Sequence, residues 1–239
     1  MRIRLGIFYV LAVCALSAQT LDPSTQLLLD HAKADKDLFG AGVPGGFSLE
    51  EQVQKTNTDI QMFRTEDGWV HPEESDPKVA GTAKAADTFL SRALRESDVV
   101  VTGKVVQQIS TFNTYKSNIV TDSLFLVDQV LCTRPGFGVQ PGGLLVVARP
   151  GGRMHIHGHS VRIETIDFPS FAAGATYVLF LQQSKRTDSY LVQHDGAFFV
   201  KGDSIWSLYS NEKHPVAAYL GNTQGFLEAV RNKAGEVDR

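Results

Sequence analysis

Three histidines stand two residues apart in the segment Gly151-Gly-Arg-Met-His-Ile-His-Gly-His-Ser-Val-Arg-Ile-Glu-Thr165: His155, His157 and His159. On a strand, residues two apart share a face, so His155 and His157 would point the same way. Two imidazoles on one face with a third nearby form a donor set for zinc or copper. Imidazole also titrates close to neutral pH, so pH sensing is an alternative use of the same residues. The opposing strand bears on the choice. With Gly158-His159 as a two-residue turn, glycine supplies the positive φ that a type II′ turn needs first. Arg162 then faces His155, Arg153 faces Glu164, and Met154, Ile156, Val161 and Ile163 share one apolar face. Moving the turn to His157-Gly158 would set Arg153 against Arg162, and like charges directly opposite each other destabilise a strand pair. The expected register therefore places a guanidinium beside His155, where it opposes a divalent cation. On this reading the histidines belong to a solvated polar face that holds no metal tightly.

Other reactive side chains form no recognisable constellation. The chain has no Gly-x-Ser-x-Gly elbow, no phosphate-binding Gly-x-x-x-x-Gly-Lys-Ser/Thr loop and no His-Glu-x-x-His. Cys132 follows a strand-like run, and no base can be placed beside it, so it reads as a small hydrophobe or a site of intermolecular pairing. The carboxylates Asp98, Asp122, Asp128, Glu164 and Asp167 are scattered. Asp122 and Asp128 fall on one strand six residues apart, and nothing selects an acid–base pair. Lys201-Gly-Asp203 has the form of an adhesion tripeptide, but it stands where a turn is expected after Phe198-Phe-Val200.

These residues must be positioned by a β structure. Short Val/Leu/Phe-rich runs recur at 98–106, 123–131, 144–148, 154–166, 177–181, 190–192 and 197–200, with Gly, Pro, Asn and Asp between them. That pattern predicts a small closed or nearly closed barrel. Val99, Val101, Leu124, Leu126, Val146, Tyr177, Leu179 and Phe198 are its expected single core. Helices are expected around it: Thr25–Leu38; a stretch from the capping box Ser48-Leu-Glu-Glu51 to about Met62; and Thr82–Glu96, with Ala83, Ala86, Phe89, Leu90, Ala93 and Leu94 on one face. A final helix is expected to be capped by Thr223 and to end before Gly235. The fold class is thus mainly β with flanking helices (α+β), an OB-like barrel with an N-terminal helical extension and a C-terminal helix. The division is 1–18 leader, 19–81 helical and loop extension, and 82–235 barrel domain.

The beginning of the chain reads as an address. Arg2 and Arg4 precede the apolar run Leu5–Leu16, and Leu16-Ser-Ala18 suits cleavage after Ala18. A competing lipobox-like reading, Leu11-Ala-Val-Cys14, would anchor the chain by lipid at Cys14. The expectation is a secreted or periplasmic protein with no transmembrane segment in its mature chain. Loss of two arginines takes the formal charge from −3 to about −5, with no basic block. That excludes nucleic acid as an expected partner and leaves protein or another extracytoplasmic ligand.

Asp98-Val-Val-Val-Thr-Gly-Lys-Val-Val106, preceded by an Ala/Leu-rich helix, resembles the opening strand of netrin-like and metalloproteinase-inhibitor OB-fold modules. Phe171-Ala-Ala-Gly-Ala-Thr-Tyr-Val-Leu-Phe-Leu181 resembles their Phe–Gly–Tyr–Leu–Phe strand. The likeness spans roughly residues 85–208 and extends to exported bacterial proteins of the same layout. The animal modules open on Cys-x-Cys and present a cysteine amine to the protease zinc. Here no cysteine precedes the first strand of the mature chain, so the resemblance implies the barrel and not the inhibition. The expected function is a non-enzymatic exported binding module. Its alternatives are a metal-dependent protein centred on the three histidines, and an envelope assembly component pairing through Cys132 or an open strand edge.

Overall fold

The computed structural model describes residues 21–39, 48–64, 83–165, 170–209, 214–219 and 221–237. The expected leader, the Gly40–Gly46 break, the 65–81 linker and Asp167 lie outside them. The described chain is mainly β with flanking helices, as its pattern implies. The first helix, α1 (Pro23–Ala34), starts with proline at its first position and with Asp22 capping Thr25 N. It tightens into a 3-10 turn, Asp35–Asp37. Helix α2 (Leu49–Thr56) carries the capping box of Ser48 and Glu51. It ends earlier than its sequence suggests, because Asn57 turns left-handed at φ 50°. Ile60 and Met62 then alternate on a strand, β1 (Ile60–Arg64). Helix α3 (Ala83–Glu96) leads into the ring.

Five strands make that ring: β2 (Val99–Phe112), β3 (Ile119–Thr133), β4 (Leu144–Pro150), β7 (Thr176–Gln183) and β8 (Tyr190–Lys201). Strand β2 pairs antiparallel with β3 and β7, β3 with β4, and β7 with β8. A short parallel contact, Val147↔Tyr190 and Ala148↔Leu191, joins β4 to β8 and closes the circle into a small barrel-like ring. Strand β9 (Ser204–Ser207) adds to the edge of β8. Strands β5 (Gly152–Ile156) and β6 (His159–Thr165) form a hairpin that β1 joins in parallel. Helix α4 (Thr223–Val237) follows a second 3-10 turn, Pro215–Tyr219. Its cap is Asn222 rather than Thr223, since Asn222 Oδ1 accepts Gly225 N at 2.8 Å, and Gly235 lies inside the helix.

The long Val/Leu runs reflect burial on both faces of the strands. Inside the ring lie Val99, Val101, Phe125, Tyr177, Leu179 and Ala197, among others. The alternate residues Val100, Val178, Phe180 and Phe198 lie outside it, under Phe89 and Leu90 of α3 and Phe226 and Val230 of α4. Leu124 and Val146 also face outward and pack on Leu28 of α1. The eight expected core residues therefore divide. Val99, Val101, Tyr177 and Leu179 share the interior, Phe198 belongs to the helix layer, Leu124 and Val146 lie under α1, and Leu126 is half-buried. The β2–β3 ladder slips at three places, among them Thr102/Gly103. A Cβ on Gly103 would lie 2.2 Å from Leu126 O and 2.6 Å from Phe125 Cε1, so the close approach of the two strands requires glycine there.

Candidate functional site

The β5–β6 hairpin departs from its expected register. The turn is His157-Gly158, with φ 49° and 86°, the two positive values of a type I′ turn. His155 faces Ser160, Met154 faces Val161, and Arg153 faces Arg162. Both registers send Met154, Ile156, Val161 and Ile163 to the same side, so apolar patterning does not separate them. Charge does not separate them either. Arg153 is exposed and its repulsion is screened, while Glu164 pairs with Arg162 along its own strand. Arg162 therefore does not stand across from His155.

The histidines diverge. His155 is exposed on the strand. His157 sits in the turn, its Nε2 3.5 Å from Glu50 Oε1 and 3.3 Å from Gln54 Nε2 of α2. His159 Nε2 is 3.2 Å from Asn57 Oδ1, and its Nδ1 is 3.6 Å from Asp59 Oδ1. His157 and His159 thus fasten the hairpin tip to α2 and the start of β1. Lys116 holds the Glu50 carboxyl below its usual range, and His157 adds a smaller effect in the same direction. Among the described residues, no three His, Cys, Asp or Glu side chains group as a metal site.

The densest buried chemistry lies elsewhere, where α1 meets the ring. Asp35, Asp122 and Ser189 are all fully buried. Ser189 Oγ donates to Asp35 Oδ2, and His31 Nδ1 lies 2.5 Å from Ser189 Oγ. A serine hydroxyl has one proton. With that proton given to Asp35, His31 meets this oxygen as an Nδ1–H donor; in the other tautomer its Nδ1 would be the acceptor. The arrangement differs from a nucleophile–base–acid chain, in which the imidazole stands between hydroxyl and carboxylate.

Asp122 stands against Asp35. Burial, then the Asp35 charge, pushes the Asp122 carboxyl up to about 9. Asp35 Oδ1 and both Asp122 oxygens have no donor unless one carboxyl carries a proton. The pair therefore shares a proton at neutral pH. Sequence reasoning had noticed Asp122 only as one scattered acid and had missed Asp35. A signal was there: Asp122 alternates with Val120 and Leu124, and Asp35, just past the end of α1, falls seven residues after Leu28 and three after Ala32. Both acids occupy positions that the apolar pattern reserves for the core.

The remaining candidates are structural. Asp98 Oδ2 accepts Gln183 N at 3.0 Å, which fixes the end of β7. Asp203 Oδ1 accepts Thr223 N at 3.3 Å, so the Lys201-Gly-Asp203 turn anchors α4. Cys132 is half-buried against the α3–α4 layer. His214 is buried edge-on to Phe89 and Phe198, with ring centroids 4.9 and 5.4 Å away. Its Nδ1 accepts Val216 N, and burial lowers its pKa to about 4, with Arg92 acting in the same direction. A cleft of about 450 Å³ opens where β4 parts from β8, lined by residues 138–140, 143–145 and Tyr190. Among the described residues, no helix is long and apolar enough to cross a membrane. No protein-family model matches the chain, and no curated protein is similar to it.

Proposed function

We propose that this chain is an exported, non-enzymatic binding module on an OB-like barrel. The carrying observation is the use made of the buried polar cluster. Ser189 is sealed from solvent and bonded to both Asp35 and His31, with the hydroxyl rather than the imidazole between the other two. The cluster therefore joins a helix to a barrel, and Ser189 meets solvent only when α1 leaves, taking His31 and Asp35 with it. The strand order supports the scaffold. Circling β2, β3, β4, β8, β7 and back to β2, with the one parallel contact between β4 and β8, fits a five-stranded OB barrel. The netrin-like strand patterns point the same way. The Arg-led apolar run before Ala18 supports export. Such a barrel hosts many activities, so the ligand has to come from experiment.

The test is a paired assay on the exported protein. Saturable binding to a component of the extracytoplasmic fraction, unchanged by Ser189→Ala except through stability, supports the reading. Turnover of ester, peptide or glycoside substrates that Ser189→Ala abolishes, with the fold intact, would overturn it.

A further inference from the structure

We infer that α1 and its 3-10 turn form a releasable cover over the β2–β3–β4 face of the barrel, latched by one proton held between Asp35 and Asp122. This rests on the binding-module reading and says where that module would meet its ligand. OB barrels take ligands on the face of their second and third strands, between the loop after the first strand and the loop before the last. In this chain those parts are β3, β4 and the loops at 113–118 and 184–189. The 23–37 segment touches each of them. Leu28 packs on Leu124 of β3 and Val146 of β4, with Ile109 of β2 alongside. Thr25 Oγ1 donates to Gln107 Oε1 of β2 at 3.3 Å. Thr114 Oγ1, in the first loop, donates to Asp37 Oδ2 at 2.8 Å. In the second loop, Arg186 Nη1 donates to Asp37 O at 3.4 Å, and Ser189 binds both His31 and Asp35. A segment from outside the ring thus fills the place where an OB barrel receives a partner.

The attachment is built to come apart. Its apolar part is a small cluster separate from the interior core and from the α3–α4 layer. Its centre is an acid pair, one carboxyl from the cover and one from β3. With one proton, the pair is an acid–carboxylate hydrogen bond. Without it, two anions face each other in a dry site. The elements packed here carry these other charged or titratable groups: His31 on α1, Lys36 and Asp37 on the 3-10 turn, and Arg186 and Asp188 in the 184–189 loop. From β2, apolar Ile109 faces Asp122. Across β4, Ala148 faces Asp122, and the guanidinium of the next residue, Arg149, is held by Ser170. The charge that acts on Asp122 is that of Asp35. An acid kept protonated by the folded state favours docking at low pH and releases it as pH rises toward its raised value. The cover is therefore shut in acid and neutral solution and loosens toward about pH 9.

Hydrogen exchange of the mature full-length chain between pH 6.5 and 9.5, corrected for intrinsic base catalysis, tests this. The expected result is that protection of 23–37 falls by up to about tenfold per pH unit between pH 6.5 and about 9, where the docked pair still holds a proton that the undocked carboxyl has released, and levels off above that, while β7 keeps its protection. Asp122→Asn, which keeps a neutral partner for Asp35, should hold the segment protected throughout. Leu28→Asp should free the segment at every pH and raise exchange in β3 and β4 without melting β7. If Leu28→Asp fails to fold, the Asp122→Asn comparison decides alone. Joint loss of protection in 23–37 and β7, or an unchanged pH dependence in Asp122→Asn, overturns the cover. Exchange reports docking whether or not a ligand exists, so this result stands apart from the binding assay.

Discussion

Two buried groups should shape the pH dependence of stability in opposite directions. Asp122 is raised from 3.8 to about 9, so the folded state holds a proton that the unfolded chain has released. Its contribution is full below about pH 4 and declines as pH rises toward 9. His214 is lowered from 6.5 to about 4, so its contribution is full above about pH 6.5 and is lost as pH falls. Between about pH 4 and 6.5 the two slopes oppose each other. Above that only Asp122 remains, with a slope of at most about 1.4 kcal/mol per pH unit. From pH 6.5 to 8.5 the loss is then up to about 3 kcal/mol. It saturates sooner if α1 undocks first, because the penalty cannot exceed the docking energy it cancels. Urea denaturation at fixed ionic strength and pH 4.5, 6.5 and 8.5 measures this. Asp122→Asn should remove the alkaline decline and expose the acid-side loss due to His214. A wild-type protein more stable at pH 8.5 than at 6.5, or an identical alkaline slope in the variant, would refute the reasoning.

Other perturbations test the frame. Leu179 is fully buried inside the ring, so Leu179→Ala should cost about 2–5 kcal/mol in chemical denaturation; a change under about 0.5 kcal/mol would place it at the surface. Gly103→Ala puts a methyl against the backbone oxygen of Leu126 and should cost at least about 1–3 kcal/mol, since a carbonyl cannot rotate away as a side chain can. Arg153→Glu separates the two hairpin registers. Opposite Arg162 it creates an attractive pair and should stabilise by about 0.2–1 kcal/mol, whereas a loss of similar size would indicate that it faces Glu164.

The strands were legible because burial on both faces leaves few polar interruptions, as in Val99–Val101 and Tyr177–Leu181. That same burial hid the division of the core. A run apolar at every position does not reveal that Leu179 points into the ring while Phe198 points toward α3 and α4. The capping box at Ser48 was readable because its partners are three residues apart. The Asp35–Asp122 pair was not, because a helix and a strand 87 positions apart must dock before the two acids meet. The hairpin register failed for a different reason. Two registers gave the same apolar face, and an exposed charge pair is too weak to choose between them against the preference of His157-Gly158 for a type I′ turn.

The central claim is that this chain is exported to bind rather than to catalyse. Native mass spectrometry of the protein recovered from its own extracytoplasmic fraction tests it most directly. The account predicts a mature chain beginning at Gln19 that carries a stoichiometric non-covalent partner. A chain that keeps its leader, or a bare mature chain that turns over substrates in the same fraction, would contradict it.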